Sequence, residues 1–427
     1  MSKFKEVTHT NVRHLINQEN FLPITIVTPF YNEKNRILNM IYSCLNSDYK
    51  NINFILVNDG STDNTMDILC QEFDLYEIPL IIKQRFKTSL VKHCYRSRKF
   101  SNITVMDKEH GPYGNGADCN NVGLNACQTP IMLTIDADAI LEANALTELV
   151  YNFISQTSCI AVSGSVYVLN GSIIEKGKII ETKLPRSFVG AAQSIEYIRS
   201  FSYGRMGYNV FGGAICFPGA FTLFETEALY EVGGFDTVNF AYDAEIISKL
   251  HSYMGAHNFP YTITHTGSAF CWTEVPGTLK SFWNQRIKWQ RGMWRGVFLH
   301  KHLFFNPKFG MVGIIGFPCY VFFEVLGPVV ETFSYVLSIL NYFFGDTDLN
   351  VLIWPFILLS ISFQVVITTA TLFLNMISFN KLYRLKDNAR LIWVSLAEIF
   401  WFRQFRALSC TVGTILYVFN RIRGKPL

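Results

Sequence analysis

Four short apolar runs, each followed by a polar turn, constrain the fold of this chain more than any other feature. They are rich in β-branched residues and bounded by Pro, Gly, Asn or Asp, which is typical of buried strands. Stretches of helical character separate them, and this alternation predicts a mostly parallel sheet wrapped by helices. The four predicted strands are Ile24–Thr28, Phe54–Val57, Ile103–Met106 and Ile131–Ile135.

Acidic residues follow the second and the fourth of these strands. They are Asp59, Asp136 and Asp138, and ligands of parallel sheets bind at the carboxyl ends of the strands. Side chains two residues apart in extended backbone project to the same side, so Asp136 and Asp138 are placed to share one divalent cation that would bridge a nucleotide diphosphate. The alternative is a solvated turn of helix-capping aspartates, because Leu141–Tyr151 has helical character.

A predicted helix over Thr278–His300 carries a face of mixed chemistry. At helical spacing Gln285, Lys288, Trp289 and Gly292 share one side. That side combines an amide, a cation and an indole, whereas a face meant only for burial is normally apolar, so the pattern favours contact with a polar ligand. The alternative is an amphipathic helix that lies on a membrane or a core with Trp289 as its anchor.

Composition indicates a soluble part joined to a membrane part. The mean hydropathy is +0.20, with 49% hydrophobic and only 16% charged residues. The net charge of +4 comes without continuous Lys/Arg runs, which argues against nucleic acid as a partner. The ten cysteines are scattered without metal-binding or C-x-x-C spacing, so we expect reduced thiols in the cytosol. The polar first 22 residues lack a signal-peptide core, so we expect the first domain to start in the cytoplasm.

Apolar segments dominate the last third of the chain. Gly310–Phe344 is interrupted by prolines, and Val351–Phe379 is long enough to span a bilayer once. The acidic loop Gly345–Asp348 lies between them and the basic loop Lys381–Arg390 follows. The positive-inside rule then predicts a cytoplasmic basic loop and an outside acidic loop in a multi-pass protein of the cell membrane.

A third apolar segment, Leu391–Phe419, is harder to interpret as a span. Arg403 and Arg406 lie near its middle, so an interfacial helix or a hairpin remains an alternative, and we expect two to four transmembrane or interfacial helices in all. The predicted domains are a polar segment 1–22, an α/β domain 23–277, an interface helix region 278–307 and a membrane region 308–427.

Asp243 opens a predicted helix that runs to about Met254. A carboxylate at this point is placed to act as a general base. A carboxylate in a first turn also compensates the helix dipole, and on position alone the dipole interpretation is the simpler one.

Several motifs occur in a specific order along the chain. They are Thr28–Glu33, Val57–Ser61, Asp136–Asp138, Pro218–Phe221, Asp243 and Gln285–Trp289. This set resembles the membrane-bound family 2 glycosyltransferases, which include the synthases of poly-β-1,6-N-acetylglucosamine, chitin, hyaluronan and cellulose. The resemblance covers about residues 23–344. It implies a Rossmann-like fold of the GT-A type on the cytoplasmic face, a UDP-sugar donor, Mg²⁺ or Mn²⁺ and an inverting mechanism.

The resemblance also implies roles for individual residues. Asp243 would be the base that deprotonates the acceptor hydroxyl, and Asp138 with Asp136 would bind the metal. The donor nucleotide would be held by Thr28, Tyr31, Glu33, Asp59, Asp118, Asp136 and Lys288. The acceptor would be held by Gln285, Arg286, Trp289 and Gly219. An inverting displacement needs a base, a stabilised leaving group and a held acceptor, and no covalent nucleophile.

Three positions depart from the family pattern. The acidic residue that usually precedes the base is Tyr242, and the arginine of the Q-x-x-R-W motif is Lys288, which lacks the bidentate fork for phosphate. The lysine of the Gly-Gly-Lys-Ala-Asp pattern is Gly116. We expect Lys108 or Arg291 to supply the phosphate contact in its place.

The resulting prediction is a processive inverting β-glycosyltransferase that polymerises a UDP-sugar, with UDP-N-acetylglucosamine first and UDP-glucose second. Its partners would be the growing glycan, the lipid bilayer, and an oligomeric partner or an accessory export subunit. Transfer of a single sugar to a lipid-linked acceptor is one alternative. A catalytically weak scaffold subunit is another, favoured by Tyr242 and Gly116 and disfavoured by the intact Asp136, Asp138 and Asp243.

Overall fold

The computed structural model describes residues 16, 21–80, 82–111, 116–345, 358, 362–375, 377 and 385–424. Its strands within these ranges are β1 Ile24–Phe30, β2 Ile52–Asn58, β3 Leu75–Glu77, β4 Val91–Ser97, β5 Ile103–Lys108, β6 Ile131–Ile135, β7 Ile140–Leu141, β8 Cys159–Val168, β9 Ile173–Glu175, β10 Lys178–Glu181, β11 Phe221–Glu225 and β12 Thr262–Thr273. Ten of them form one mixed sheet in the order β3-β4-β5-β2-β1-β6-β11-β8-β12-β7.

The centre of this sheet is parallel, as the four apolar runs predict. Strand β1 pairs with β2 and β6, and β2 pairs with β5, all in parallel. Ile26 and Leu56 face one hydrophobic core while Val27 and Val57 face the other, so both faces of the strands are covered. The carboxyl ends of β1, β2 and β6 lie side by side, which brings the residues that follow them to one edge.

Strand β11 lies antiparallel between β6 and β8, which the sequence pattern does not reveal. Its register sets Phe221 opposite Ile135, so the Pro218–Ala220 turn comes beside the end of β6. The twelve-residue β12 continues the sheet parallel to β8, and Thr273 at its end returns to the same edge. This insertion adds walls to the edge at which the parallel strands end.

Helices cover both faces of the sheet and continue beyond it. Within the described ranges they are α1 Ile37–Leu45, α2 Thr65–Phe73, α3 Gly116–Ala126, α4 Ala145–Ser155, α5 Phe188–Tyr197, α6 Arg205–Tyr208, α7 Thr226–Glu231, α8 Tyr242–His257, α9 Leu279–Leu299, α10 Phe317–Cys319, α11 Gly327–Phe344, α12 Ser362–Asn375, α13 Leu385–Ala397 and α14 Phe402–Ile422. Helix α9 is the predicted mixed-face helix, and the Thr278 hydroxyl caps it by accepting a hydrogen bond from the Ser281 amide at 3.2 Å.

The predicted membrane region, in which we expect two to four transmembrane or interfacial helices, is described only in part. In the described part of the chain, no helix taken alone is both long and apolar enough to cross a bilayer. One bent pair, Val312–Val325 and Gly327–Phe344, meets that criterion jointly with a 42° bend between its halves. The segment 351–379 is described only in part, and residues 346–348 of the acidic loop and 381–384 of the basic loop lie outside the described residues.

The two arginines of the third apolar segment have carboxylate partners. Helices α13 and α14 replace one continuous segment, and Arg403 Nε donates to Glu331 Oε1 of α11 at 2.5 Å. Arg406 Nη1 lies 3.4 Å from Glu196 Oε1 of α5. Since both cations are paired inside the protein, α14 presents its arginines to α5 and α11.

Candidate active site

A cavity of about 860 Å³ opens at the carboxyl edge of β1, β2 and β6. Its other walls come from the turn before β11, the start of α8 and one face of α9. Eleven of the thirteen site residues expected from the sequence line it. They are Tyr31, Glu33, Asp59, Asp136, Asp138, Gly219, Asp243, Gln285, Arg286, Lys288 and Trp289.

The other two expected residues, Thr28 and Asp118, lie behind the wall of the cavity. Thr28 is fully buried, and its hydroxyl faces the Met40 sulfur at 3.9 Å. The Asp118 carboxylate accepts a hydrogen bond from the Ser89 amide at 3.2 Å and lies 3.0 Å from Lys108 Nζ. Neither side chain is therefore placed to contact a ligand in the cavity directly.

Lys108 is a buried ion-pair partner rather than a phosphate ligand. Its side chain has no exposed surface, and its ammonium contacts the carboxylates of both Asp59 and Asp118. Arg291 also does not line the cavity, and its guanidinium carbon lies 5.5 Å from the centre of the Phe240 ring. The structure thus contradicts the expectation that one of these cations replaces the lysine missing at Gly116.

His110 lines the cavity beside Asp59 and Tyr31, and it is not among the residues predicted from the sequence. Its Nδ1 lies 3.0 Å from Asp59 Oδ2, and its ring centre is 5.1 Å from that of Tyr31. A pair of rings beside a carboxylate offers both stacking and a hydrogen-bond acceptor to a nucleobase. Its position just after β5, at the end of the third parallel strand, is the signal that points to it.

Asp136 and Asp138 both line the cavity where β6 ends. Thr273 Oγ1 donates to Asp138 Oδ1 at 2.9 Å. Burial raises the pKa of both carboxyls, and the negative charges of Asp138 and Asp243 raise that of Asp136 further. A cation bound between these carboxylates would offset the repulsion among their negative charges.

The donor set suits a metal that is shared with a substrate. Within the described residues no group of three or more His, Cys, Asp or Glu side chains is arranged to hold a metal ion. Mg²⁺ is often held by one or two protein carboxylates together with substrate phosphates and water. Asp136 and Asp138 fit that arrangement.

Asp243 is the first-turn carboxylate of α8 and faces the same cavity. Its Oδ2 accepts a hydrogen bond from the Gly219 amide at 3.1 Å. A methyl group at Gly219 would lie 2.7 Å from that same oxygen, so only glycine permits this approach. Burial raises the pKa of Asp243, while backbone N–H donors and the charge of Lys288 act in the opposite direction. The helix-dipole and base interpretations are therefore compatible here.

The residues on the mixed face of α9 do not all contact the cavity. Gln285, Lys288 and Trp289 line the cavity, and Gln285 Oε1 is buried without a hydrogen-bond partner in the described structure. The lining position of Trp289 argues against its role as a membrane anchor. Gly292 instead packs on the chain before α8, because a side chain there would come within 2.5 Å of the Ala241 nitrogen.

Arg286 lies on the cavity wall but is already paired. Its guanidinium donates to both Glu196 carboxylate oxygens at 3.1 and 2.9 Å. The guanidinium carbon also lies 4.5 Å from the centre of the Trp289 ring. Arg286 therefore holds the indole in place, which is a positioning role beside the acceptor contact expected from the sequence.

The carboxylate pair predicts an unusual dependence of stability on pH. A carboxyl whose folded pKa exceeds its unfolded value binds more protons when folded, so it costs stability as pH rises from about 4 to about 7 for Asp136. We expect Asp136→Asn to reduce the fall in the thermal unfolding midpoint between pH 5 and pH 8. Mn²⁺ should raise the wild-type midpoint more at pH 8 than at pH 5.

The buried histidines have the opposite effect on the pH dependence of stability. The Asp136→Asn variant must therefore be compared with the wild type. Burial lowers the pKa of His251 to about 4 and that of His265 to about 3, so they add stability as pH rises toward 6.5. Their contribution cancels in the difference between the variant and the wild type. An identical pH profile for both proteins would contradict the raised pKa of Asp136.

Comparison with known proteins agrees with this site. A family model described as "Glycosyl transferase family 2" matches residues 25–92, and one described as "Glycosyl transferase family group 2" matches residues 131–380, which is more than half of the chain. The poly-beta-1,6-N-acetyl-D-glucosamine synthase of Staphylococcus epidermidis is 24% identical over 333 residues, which cover 75% of this chain and 69% of that protein. The synthase of the same name from Staphylococcus aureus strain MSSA476 is 25% identical over 277 residues, 65% of this chain and 56% of that protein.

A solved structure shares the fold across nearly the whole chain. It is a mannosyltransferase from Pyrobaculum calidifontis in complex with GDP-Man and Mn²⁺, which covers 97% of both chains at 14% identity with a TM-score of 0.55. At this identity the likeness concerns the fold, a GT-A-like mixed α/β sheet. Together with the two family models, it leads to one conclusion: the chain belongs to the family 2 glycosyltransferases.

Proposed function

We propose that the protein is an inverting β-glycosyltransferase that uses a UDP-sugar and Mg²⁺ or Mn²⁺. The observation that carries the proposal is the meeting of Asp243, the Asp136/Asp138 pair and Lys288 in one cavity. UDP-N-acetylglucosamine is the first choice of donor, supported by the names of the staphylococcal relatives, and UDP-glucose is the second.

In the proposed reaction one residue acts as the base and the others stabilise the leaving group. Asp243 takes the proton of the acceptor hydroxyl while that oxygen attacks the anomeric carbon, and the bond from this carbon to the diphosphate breaks on the opposite face. A divalent cation held by Asp136 and Asp138 would neutralise charge on the departing diphosphate. Lys288 lines the same cavity and adds a second positive charge.

The shape of the cavity supports a polymer as the acceptor. Its lining also includes Arg205 and Glu324, which form a bidentate ion pair at 2.5 and 2.8 Å. The lining therefore extends from the carboxylates at the sheet edge to a charged pair that can hydrogen-bond glycan hydroxyls. On this basis we propose processive extension, with the product lying between Trp289 and the helices around Glu324.

The C-terminal helices support attachment to a bilayer. Many large apolar side chains are exposed there, which is unusual for a surface that faces water. Examples are Phe333, Leu337, Phe343, Phe344, Trp393, Phe400, Ile415 and Ile422. We propose that this surface lies in the cell membrane with the catalytic cavity on the cytoplasmic side.

A single transfer to a lipid-linked acceptor is the second candidate. The cavity lining includes Phe323, which is 75% exposed, and Pro328 at the start of α11. An apolar rim of this kind admits the tail of a lipid whose headgroup reaches the base. The same features therefore fit a short product on a lipid.

Product analysis distinguishes the two candidates. The protein, reconstituted in liposomes and recovered by flotation, is incubated with several radiolabelled UDP-sugars and Mn²⁺ or Mg²⁺, and products are resolved by size. We expect a product of high molecular weight from one donor, with UDP-N-acetylglucosamine preferred. A single addition on extracted lipid would favour the second candidate, and failure to float would contradict the membrane assignment.

A further inference from the structure

Two of the departures from the family pattern, Gly116 and Tyr242, are neighbours in space. Gly116 begins α3 and Tyr242 begins α8, 126 positions apart in the chain. A side-chain carbon at residue 116 would lie well under 3.0 Å from the Tyr242 phenol oxygen and 3.1 Å from Tyr242 Cζ. The tyrosine therefore fills the space into which any side chain at residue 116 would project.

The Tyr242 ring is held firmly in this place. It packs edge-on against Phe235 at 6.1 Å between ring centres, with an angle of 86°. The next neighbour of a carbon at residue 116 would be Pro29 Cγ at 3.5 Å, so Pro29 also limits the space beside Gly116. Rotation of the phenol away from Gly116 would disturb this packing.

Tyr242 lines the cavity beside the groups proposed to bind the donor. Tyr242, Gly116 and Cys119 all line the cavity next to Asp136 and Asp243. No hydrogen bond to the Tyr242 hydroxyl occurs among the residues that the structure describes. A hydroxyl on the cavity wall that has no protein partner is available to donate a hydrogen bond to a bound ligand. Burial raises the pKa of Tyr242 well above its usual value, so the hydroxyl keeps its proton.

We propose that Tyr242 is a donor-binding residue whose hydroxyl donates a hydrogen bond to the diphosphate of the sugar nucleotide, and that Gly116 is required to admit it. This inference rests on the proposed function and names the group that takes the place of the missing lysine. Diphosphate is the ligand group that fits, because Gly116, the first residue of α3, lines the same cavity as Asp136, and a helix N-terminus favours an anion. A neutral phenol makes this contact without adding a charge.

Binding of UDP in the presence of Mn²⁺, measured by calorimetry on the full-length protein, tests this directly. We expect Tyr242→Phe to weaken UDP about 10- to 100-fold, the usual worth of a hydrogen bond to a charged acceptor. UDP and the intact UDP-sugar should weaken equally. A loss confined to the UDP-sugar would place the contact on the sugar and overturn the diphosphate assignment.

A double-mutant cycle tests the pairing. Gly116→Ala alone should weaken UDP binding and lower the thermal unfolding midpoint, because the methyl group and the phenol compete for one space. In the Tyr242→Ala background the same methyl group should cost little, since the space is then open. Equal effects of Gly116→Ala in both backgrounds would overturn the pairing.

Two control variants test whether a loss of UDP affinity could come from a general loss of folding. Gly207→Ala adds a methyl group with nothing within 4 Å, and Tyr253→Phe removes a surface hydroxyl bound to Glu231. Both should leave UDP affinity unchanged. If the wild-type protein binds no UDP, the proposed function fails. If it binds UDP and Tyr242→Phe has no effect, this inference alone fails.

Discussion

Substitution of Asp243→Asn is expected to lower turnover by about 100- to 10,000-fold, the usual worth of a general base. The amide keeps the acceptor atom for the Gly219 N–H, which lies 3.1 Å away, but it does not take a proton from the acceptor hydroxyl. UDP affinity should stay within about threefold, because the proposed role of Asp243 is to contact the acceptor and not the nucleotide. The measurements are single-turnover kinetics and calorimetry with UDP.

Asp67→Asn is the matched control for this substitution. Asp67 is an exposed carboxylate in the first turn of α2, so its replacement removes an equivalent helix-dipole contact far from the cavity. We expect unchanged turnover. If Asp243→Asn behaved in the same way, Asp243 would be a helix cap and the scaffold interpretation would gain support.

Lys108→Met is expected to destabilise the fold by about 3–5 kcal/mol, because it leaves buried carboxylates without their cation. Asp59 and Asp118 both contact this ammonium, and Lys108 has no exposed side-chain surface. The pKa of Lys108 is raised in the folded protein, so its stabilising contribution is complete at neutral pH and is lost only in strong alkali. Chemical denaturation at pH 7 measures the change.

Two further variants make the result interpretable. Lys92→Met removes a half-exposed ion pair with Glu109 and should change stability by less than about 1 kcal/mol. Lys108→Met combined with Asp118→Asn should recover part of the loss, because one unpaired charge is gone. If Lys108→Met instead left stability intact and abolished UDP binding, the lysine would be a phosphate ligand after all.

Local sequence was sufficient for the parallel centre of the sheet and for the identity of the carboxylates at its edge. Runs such as Ile24–Thr28 are too apolar to lie anywhere but between two covered faces, and strand ends in such sheets meet at one edge. Asp136 and Asp138 therefore had to lie near Asp59. The mixed face of α9 was equally readable, because helical spacing is a property of neighbouring residues.

The roles of several charged residues required the tertiary structure. Two arginines in an apolar helix are hard to explain from the sequence alone. In the structure Arg403 pairs with Glu331, 72 positions away, and Arg406 pairs with Glu196, 210 positions away. Lys108 likewise looked available for phosphate. Its two carboxylate partners come from separate elements, and no pattern in sequence reports such a pairing.

The amino-acid sequence alone is enough to predict the chemistry of the strand ends, the mixed face of α9 and the family. Which of these side chains reach the cavity depends on the packing of separate elements. The antiparallel insertion of β11 brings Gly219 to Asp243, and the approach of α8 to α3 brings Tyr242 to Gly116. Periodicity describes neighbours within one element, whereas these contacts depend on how separate elements pack.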